Sequence, residues 1–182
     1  KALGEVRDLL RIEDLRISIA IQRASLHVVK GVSFRVPAGK TVALVGESGS
    51  GKSIIAQAIL GILPRVASIT GGRIRFRDPL HPGSETDIAA IDPSTPEMRS
   101  LRGGRIAMIF QEPMTSLSPL HKIGNQVEEA LVLHRDVASG EARKLTEDML
   151  NLVGFPEPHR AYDMYPMELS GGLRQRAMIA MA

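Results

Sequence analysis

The chain has 182 residues, of which 43% are hydrophobic, and a formal net charge of +3 at pH 7. This length suits one domain that buries a hydrophobic core. The charge is small and the basic residues are dispersed, which argues against nucleic acid as the main partner, and the lack of any cysteine excludes disulfides and thiolate metal sites.

The apolar stretches of the sequence are too short to cross a membrane. The longest, at residues 54–63 and 177–182, fall short of the roughly 20 residues that a spanning helix needs. The five histidines show no metal-ligand spacing with carboxylates, so we predict no transition-metal site. The chain starts at Lys1 and stops at Ala182 inside a helical pattern, and we therefore expect it to be a fragment.

Two kinds of strand are predicted in the first part of the chain. Apolar residues alternate with polar or small ones at 17–21, 32–36 and 73–77, which indicates half-buried strands that we expect to be antiparallel. Residues 41–45 and 105–110 are continuous apolar runs instead. Such runs are typical of strands covered on both faces, so we predict that they form a parallel sheet.

A glycine-rich loop follows the first of these runs. Residues 46–53 read Gly-Glu-Ser-Gly-Ser-Gly-Lys-Ser and precede a helix predicted at 54–63, as the phosphate-loop pattern G-x-x-x-x-G-K-[ST] requires. Its glycines let successive N–H groups converge on one anion, to which the helix adds the positive end of its dipole. The alternative is a glycine-rich turn with an unrelated lysine. The predicted polyphosphate contacts are Gly46, Ser48, Gly49, Ser50, Gly51, Lys52, Ser53 and Ile54.

The rest of the chain predicts a surface segment followed by helices. Residues 78–96 are rich in Pro, Ser, Asp and Glu, so we expect a surface excursion without a core. Helices are predicted at 123–134 and from about Ser139 to a left-handed cap at Gly154. The buried stripe predicted on the second helix consists of Ala142, Leu145, Met149 and Leu152.

A second glycine motif precedes the last predicted helix. Residues 169–176 read Leu-Ser-Gly-Gly-Leu-Arg-Gln-Arg, which places a serine hydroxyl and two unobstructed backbone N–H groups at a helix N-terminus. Ser170, Gly171 and Gly172 therefore form a candidate anion site. An ordinary helix N-cap with a tight turn is the alternative.

Taken together, the motifs resemble those of the ATP-binding cassette ATPases. A phosphate loop, Gln111 at a predicted strand end, a helical insert and Leu-Ser-Gly-Gly occur in that family's order over essentially the whole chain. The resemblance implies an α/β P-loop NTPase fold of the RecA-like type, with a parallel core, an antiparallel β subdomain, an inserted helical subdomain and an incomplete C-terminal side. It places the β subdomain and core in 1–111, the helical subdomain in 112–168 and the glycine motif in 169–182.

The resemblance narrows to the peptide and nickel importer group. Residues 110–120 and 178–182, which read Phe-Gln-Glu-Pro-Met-Thr-Ser-Leu-Ser-Pro-Leu and Met-Ile-Ala-Met-Ala, are similar to segments of its cassettes. This implies an ATPase subunit that drives peptide uptake from the cytoplasmic face of the inner membrane. The implied partners are permease subunits, a second cassette and, indirectly, an extracytoplasmic peptide-binding protein. The alternative from another class is a soluble ATPase that acts on nucleic acid or ribosomes.

The resemblance implies a role in ATP hydrolysis or partner binding for individual residues of this chain. Lys52 would neutralise the β- and γ-phosphates of ATP, Ser53 would ligate Mg²⁺, and Gln111 would reach toward Mg²⁺ and the attacking water. Ser170, Gly171 and Gly172 would touch the ATP held by a second cassette. The permease would dock on 112–120 through apolar side chains, for which packing inside the helical insert is the alternative. Those side chains are Met114, Leu117 and Leu120.

The sequence departs from the family's pattern in two places. The aromatic residue that stacks on adenine is replaced by Ile19, and His27, for which a satisfied surface histidine is the alternative, is the nearest substitute. The strand that ends in the magnesium-binding aspartate and the catalytic glutamate would begin beyond Ala182. We therefore expect the 182-residue chain to be inactive by itself.

Overall fold

The computed structural model describes residues 7–22, 24–81, 83–111, 116–135, 137–138 and 140–182. The chain divides into two compact units, Lys1–Arg105 and Ile106–Ala182. No helix within these described ranges is both long and apolar enough to span a membrane.

The first unit is built on an antiparallel sheet with the strand order β2-β1-β3-β4. Its strands are β1 (Asp8–Ile21), β2 (Ala24–Pro37), β3 (Ala67–Phe76) and β4 (Thr86–Asp87). The predicted alternation is present at 32–36 of β2 and in β3, where Ile74 and Phe76 are buried. In β1 it fails, because Ser18 is buried directly after Ile17 and Ile21 is 51% exposed; the pairing with β2 shifts register between Ile17 and Ser18. A large apolar side chain buried in this way contributes roughly 1.5–3 kcal/mol.

Two short elements lie in the segment that the sequence predicts to be a coreless excursion. Ile88 begins a 3₁₀ turn, Ile88–Ala90, and is buried. The Asp87 carboxylate accepts hydrogen bonds from the backbone N–H groups of Ile74 and Ala89 at 3.0 and 3.2 Å. The prediction was therefore wrong at this point, because one carboxylate ties the segment to β3. Helix α1, Lys52–Ile59, precedes this segment in the chain, and helix α2, Pro96–Leu101, ends it.

The two predicted parallel strands are not formed. Residues 41–47 and 107–110 belong to no strand, and the side chains of Val45 and Ile109 are 90% and 48% exposed. An apolar run becomes a strand only where a neighbour accepts and donates its backbone hydrogen bonds. The described strands pair with one another and not with these runs, which leaves the runs without a strand partner and largely exposed.

The second unit is helical. Its helices are α3 (Ile123–His134), α4 (Ala142–Leu152), α5 (Pro158–Asp163) and α6 (Gly171–Met181), with a 3₁₀ turn at Pro166–Glu168. The bounds predicted for α3 are confirmed, as is the left-handed Gly154, whose φ is 85°. No helix was predicted at α5, because a proline usually interrupts helices; Pro158 stands in the first turn, where its missing N–H costs nothing.

Burial on α4 differs from the predicted stripe. Thr146 and Leu150 are fully buried, whereas Leu152 is 77% exposed. Ala142 is buried as expected, so the true stripe is rotated and passes through a threonine. Ser139, the predicted start of this helix, lies outside the described residues.

Candidate functional site

The loop between residues 46 and 51 is curled by two left-handed glycines. Gly49 and Gly51 have φ values of 80° and 92°, which side chains other than glycine's rarely adopt. A Cβ at Gly51 would also stand 3.2 Å from the carbonyl oxygen of Val28 on β2. The N–H of Ser50 donates to the Glu47 oxygen at 3.2 Å, which closes a tight turn.

Helix α1, Lys52–Ile59, starts directly at the end of this loop. Its N-cap is Gly51, which has no side chain to satisfy the helix's first N–H groups. Within the described part of the chain, no acceptor faces the backbone N–H groups of residues 51–54. Free donors and the helix dipole converge at this point, and such an arrangement binds anions.

The Lys52 ammonium is folded back over the loop. Nζ donates to the carbonyl oxygens of Gly46 and Glu47 at 2.8 and 2.6 Å and to Ser50 Oγ at 3.3 Å. An ammonium has three donors, so these three neutral oxygens satisfy its hydrogen bonds but leave its charge uncompensated. The loop that precedes α1 therefore carries a positive charge that an anion can neutralise.

The remaining predicted loop contacts lie around the same cradle. Ser48 and Ser53 are exposed, and Ile54 is half-buried on the first turn of α1. A Cβ at Gly46 would stand 2.7 Å from Ser50 Oγ, so the serine side chain would have to rotate away to accommodate it. The structure thus gathers every predicted residue from 46 to 54 into one loop and helix start.

The Ser-Gly-Gly motif forms the tip of α6 in the second unit. Ser170 is the N-cap, and its Oγ accepts a hydrogen bond from the N–H of Leu173 at 3.3 Å. Gly171 and Gly172 are exposed, and a Cβ on either would meet nothing within 4 Å. The motif is therefore an ordinary N-cap and also an open helix tip, so both predicted interpretations describe the same geometry.

Contacts from the preceding turn hold this tip in place. Arg174 Nε donates to the Pro166 carbonyl at 2.8 Å, and the Glu168 carboxylate accepts from the N–H of Tyr165 at 2.6 Å. Arg176 donates to the carbonyl of Gly154 at the end of α4. The tip is therefore fixed to its own unit while its two glycines face outward.

Gln111 is placed differently from the prediction. It is exposed, and the buried strand that it should end is absent. It belongs to the second unit, together with the α6 tip, whereas the phosphate loop belongs to the first unit. The curled loop and helix start expected around Lys52 are present because the motif is local, whereas the strand expected before Gln111 is absent because a strand depends on distant neighbours. The nucleotide contacts assigned to these residues stay predictions.

The two residues predicted to contact adenine, Ile19 and His27, have other partners in the structure. Ile19 is half-buried in β1, between Leu26 and Ala67 of the neighbouring strands. His27 Nδ1 lies 2.8 Å from Ser18 Oγ, which makes it the satisfied histidine of the alternative interpretation. Within the described ranges, no three His, Asp or Glu side chains are grouped closely enough to hold a metal ion.

The predicted docking segment has one buried and one exposed leucine. Leu117 is 5% exposed and belongs to the helical core, as the alternative interpretation holds, while Leu120 is 81% exposed. Met114 lies outside the described residues. Sequence reasoning missed Gln126, which is buried at 8% exposure and bonds to this segment; a polar residue inside an apolar helix pattern was the only signal of it.

Comparison with known proteins identifies the family. The family described as ABC transporter matches residues 29–182. Among similar sequences, the dipeptide transport ATP-binding protein DppD of Bacillus subtilis (strain 168) is 43% identical over 96% of this chain and 50% of its own length. The oligopeptide transport ATP-binding protein OppD of the same strain is 40% identical over 97% of this chain and 47% of its own length. The chain thus spans about half the length of these curated relatives.

Solved structures agree with the sequence comparison. The dimeric ATP-binding cassette MJ0796 in a post-hydrolysis state with ADP and Pi gives a TM-score of 0.77 at 25% identity over 94% of this chain and 68% of that one. A second dimeric structure of the same bacterial ABC transporter cassette gives 0.76 at 25% identity, with the same coverage. The predicted fold class, a mixed α/β P-loop NTPase that is present here as a partial cassette, is confirmed by these neighbours. The chain therefore belongs to the ABC transporter family of ATP-binding cassettes.

Proposed function

We propose that the chain is part of the ATP-binding and ATP-hydrolysing subunit of an importer for peptides or peptide-like compounds. The observation that carries the proposal is the Lys52 ammonium held over a curled glycine loop at the start of α1. The names of the relatives, which are dipeptide and oligopeptide transport ATP-binding proteins, support the cargo class. No observation on the described residues favours the alternative that acts on nucleic acid.

The residues fit the chemistry of a Mg·ATP complex. Lys52 binds the β- and γ-phosphates, the free N–H groups of residues 51–54 bind phosphate oxygens, and Ser53 offers an exposed hydroxyl as a metal ligand. Mg²⁺ would supply neutralisation of the charge that develops on the transferred phosphoryl group. Gln111 would orient the water that attacks in line with the leaving oxygen.

A second cassette completes the site in this proposal. The α6 tip, with Ser170 as cap and with Gly171 and Gly172 open, would contact the γ-phosphate held by the phosphate loop of a partner cassette. Closure of the two cassettes on ATP would reorient permease subunits in the membrane, and hydrolysis would reopen them. In this proposal, an extracytoplasmic binding protein would deliver the peptide. The subunit would lie at the cytoplasmic face of the inner membrane. The domain limits 1–111, 112–168 and 169–182 belong to the same proposal.

The 182-residue segment by itself would turn over ATP negligibly. Its apolar runs at 41–45 and 107–110 are uncovered, and it spans about half of its relatives. Steady-state hydrolysis of Mg·ATP by the purified segment, at a rate equal to that of the complete subunit, would contradict this part of the proposal.

The experiment for the function is uptake of a labelled dipeptide and of a labelled oligopeptide by cells that carry the complete transporter. Lys52→Ala removes the ammonium and should abolish uptake of whichever peptide the wild type imports. Lys144→Ala, an exposed lysine on α4, is the matched control and should import normally. Undiminished uptake by Lys52→Ala would refute the site, and absence of uptake of both peptides in the wild type would refute the cargo class.

A further inference from the structure

The C-terminal end of α1 is held by an arginine from a later part of the first unit. Arg102, which directly follows α2, donates from Nε to the Leu60 carbonyl at 2.8 Å and from Nη2 to the Gly61 carbonyl at 3.1 Å. Nη2 also donates to the Pro93 carbonyl at 2.5 Å. One guanidinium therefore joins the end of α1 to the segment that leads into α2.

Gly61 ends α1 and brings it close to α2. Its φ is 61°, and its N–H donates to the Ala58 carbonyl at 3.1 Å, as is common where a glycine terminates a helix. A Cβ at this position would stand 3.1 Å from Met98 Cε of α2 and 3.4 Å from Arg102 Nη2. The arginine therefore reaches the helix end across a tight contact between α1 and α2.

Arg102 also supplies a charge that α1 lacks. The last turn of α1 contains no basic residue, although the carbonyls at a helix C-terminus carry partial negative charge. The three acceptors of the guanidinium are neutral carbonyls, so its positive charge stands at the negative end of the helix dipole. Ile55 and Ala58 are the buried residues of α1, and Gly51 gives its N-cap no side chain. The helix thus has few restraints of its own, and Arg102 is a large share of them.

Helix α1 connects Arg102 to the anion cradle. It has eight residues, so its two ends are about 12 Å apart. Packed helices of this kind shift as bodies rather than deforming continuously. The free N–H groups of residues 51–54 stand at the start of the same helix, and a misplacement of about 1 Å in such a constellation can be costly. A shift at the C-terminal end would therefore change the direction of these donors.

We propose that Arg102 is a positioning residue for nucleotide binding: its guanidinium fixes the C-terminal end of α1 and thereby the direction of the N–H groups that face the phosphates. The inference rests on the proposed function, in which those N–H groups bind ATP. Arg102 acts from the far end of the helix, without touching the nucleotide. Its contribution is pre-organisation, since a helix that is already aimed loses less conformational entropy when the ligand binds.

Calorimetric titration of Mg·ATP into the complete subunit tests this role. Arg102→Met keeps an unbranched side chain and removes all three hydrogen bonds, so Kd for ATP should rise about tenfold. Arg102→Lys restores the charge at the end of α1 without the planar fork, so its Kd should lie between those of Arg102→Met and the wild type.

The matched control is another arginine of α2. The Nη2 of Arg99 donates to the Ser94 carbonyl at 3.2 Å and not to α1, so Arg99→Met should bind ATP as the wild type does. An equal loss in Arg99→Met and Arg102→Met would contradict the positioning role. If Arg102→Met does not fold, the comparison is made with Arg102→Lys, and a wild-type Kd in that variant would then refute the role.

Amide hydrogen exchange separates positioning from general destabilisation. In Arg102→Met, the N–H groups at the end of α1, such as that of Leu60, which donates to the Ala56 carbonyl at 3.3 Å, should exchange about tenfold faster. The N–H groups of β1 should keep their wild-type rates. Unchanged exchange in α1, or equally faster exchange in β1, would show that any loss of ATP affinity does not come through the helix.

Steady-state kinetics of the assembled transporter give a second readout. KM for ATP should rise together with Kd in Arg102→Met, while kcat at saturating ATP stays within about twofold, because Gln111 and the α6 tip belong to the other unit. A lowered kcat with an unchanged KM would contradict a role in binding.

The outcomes for the two proposals differ. A wild-type subunit that binds Mg·ATP, beside an Arg102→Met variant that binds it equally tightly, would overturn the positioning role and leave the proposed function intact. A wild-type subunit that does not bind Mg·ATP would overturn both.

Discussion

The glycines of this chain differ in what surrounds the position that a side chain would occupy. At Gly51, both the left-handed backbone and the Val28 carbonyl exclude a side chain. At Gly124, an added Cβ would overlap the Tyr162 ring. At Gly171, it would meet nothing within 4 Å. The first two glycines are therefore needed by the fold, whereas no contact within the described chain requires the third. In the proposed function, the open space at Gly171 is taken by the nucleotide of the partner cassette.

Gly171→Ala tests that interpretation at the residue scale. Alanine is a better helix former than glycine, so the free energy of unfolding should rise by up to about 0.5 kcal/mol. ATP hydrolysis by the complete transporter should fall on the order of a hundredfold, because the methyl group separates the tip from the partner's phosphate. Thermal unfolding and steady-state hydrolysis measure the two effects. A variant that is both stable and fully active would contradict the role given to the tip.

The hydrogen bonds to the Asp78 carboxylate in the first unit should be lost in acid. A hydrogen bond from His81, then those from the Leu80 N–H and from Arg105, lower the pKa of its carboxyl from the usual 3.8 to about 2. Because the folded state lowers this pKa, the stabilisation is present above about pH 3.8 and is lost as the pH falls toward 2.

Asp78→Asn should flatten the dependence of unfolding free energy on pH in this window. Denaturant unfolding of the complete protein at several pH values below 5 measures the slope. Asp148→Asn, an exposed carboxylate on α4, is the control and should keep the wild-type slope. An unchanged slope in Asp78→Asn would show that the carboxylate is not selectively stabilised by folding.

At the scale of elements, helices α3 and α5 are closely packed through one tyrosine. Tyr162 on α5 is buried against Gly124 on α3, and its hydroxyl donates to Glu128 at 2.5 Å. The Arg143 guanidinium of α4 lies 4.1 Å from the ring centroid. Burial and the Glu128 carboxylate raise the pKa of Tyr162 to about 12, so the phenol stays a donor at neutral pH. One aromatic side chain thus joins three helices.

Gly124→Ala should separate α3 from α5. The methyl group overlaps the ring, and such overpacking costs about 1–3 kcal/mol. Gly171→Ala makes the same chemical change in open space and serves as the stability control. Equal melting temperatures for the two variants would contradict the close fit of Tyr162 against α3.

Local signals in the sequence predicted elements better than pairings. The bounds of α3, the Ser170 cap and the left-handed Gly154 follow from nearby residues, and the structure has all three. The apolar runs at 41–45 and 105–110 were expected to be strands, yet apolar content states only that a segment prefers burial. Whether a partner strand lies beside it is decided by residues elsewhere, and among the described strands none does.

In the candidate site, too, local features could be predicted from the sequence and features that depend on distant residues could not. The phosphate loop is encoded within eight consecutive residues, so its geometry around Lys52 could be predicted from them. The hydrogen bonds of the buried Gln126 could not, because they depend on Ser118 and His121 folding back toward α3. Gln111 could not either, since its surroundings depended on a strand that is not formed.

At the scale of the whole molecule, the two units carry different parts of the proposed reaction. Lys1–Arg105 holds the phosphate loop, and Ile106–Ala182 holds the α6 tip and Gln111. In the proposal, nucleotide affinity belongs to the first unit, whereas response to the permease and to the partner cassette belongs to the second. Variants in the two units should therefore alter different kinetic parameters.

The most direct test of the central claim is calorimetric titration of Mg·ATP into the complete subunit, comparing Lys52→Ala with Lys40→Ala. Lys40 is an exposed lysine shortly before the phosphate loop and makes the control chemically matched. Loss of the Lys52 charge-assisted contacts should weaken ATP binding at least about tenfold, while Lys40→Ala binds as the wild type does. Equal ATP affinities for the two variants would contradict the assignment of this loop as the nucleotide site.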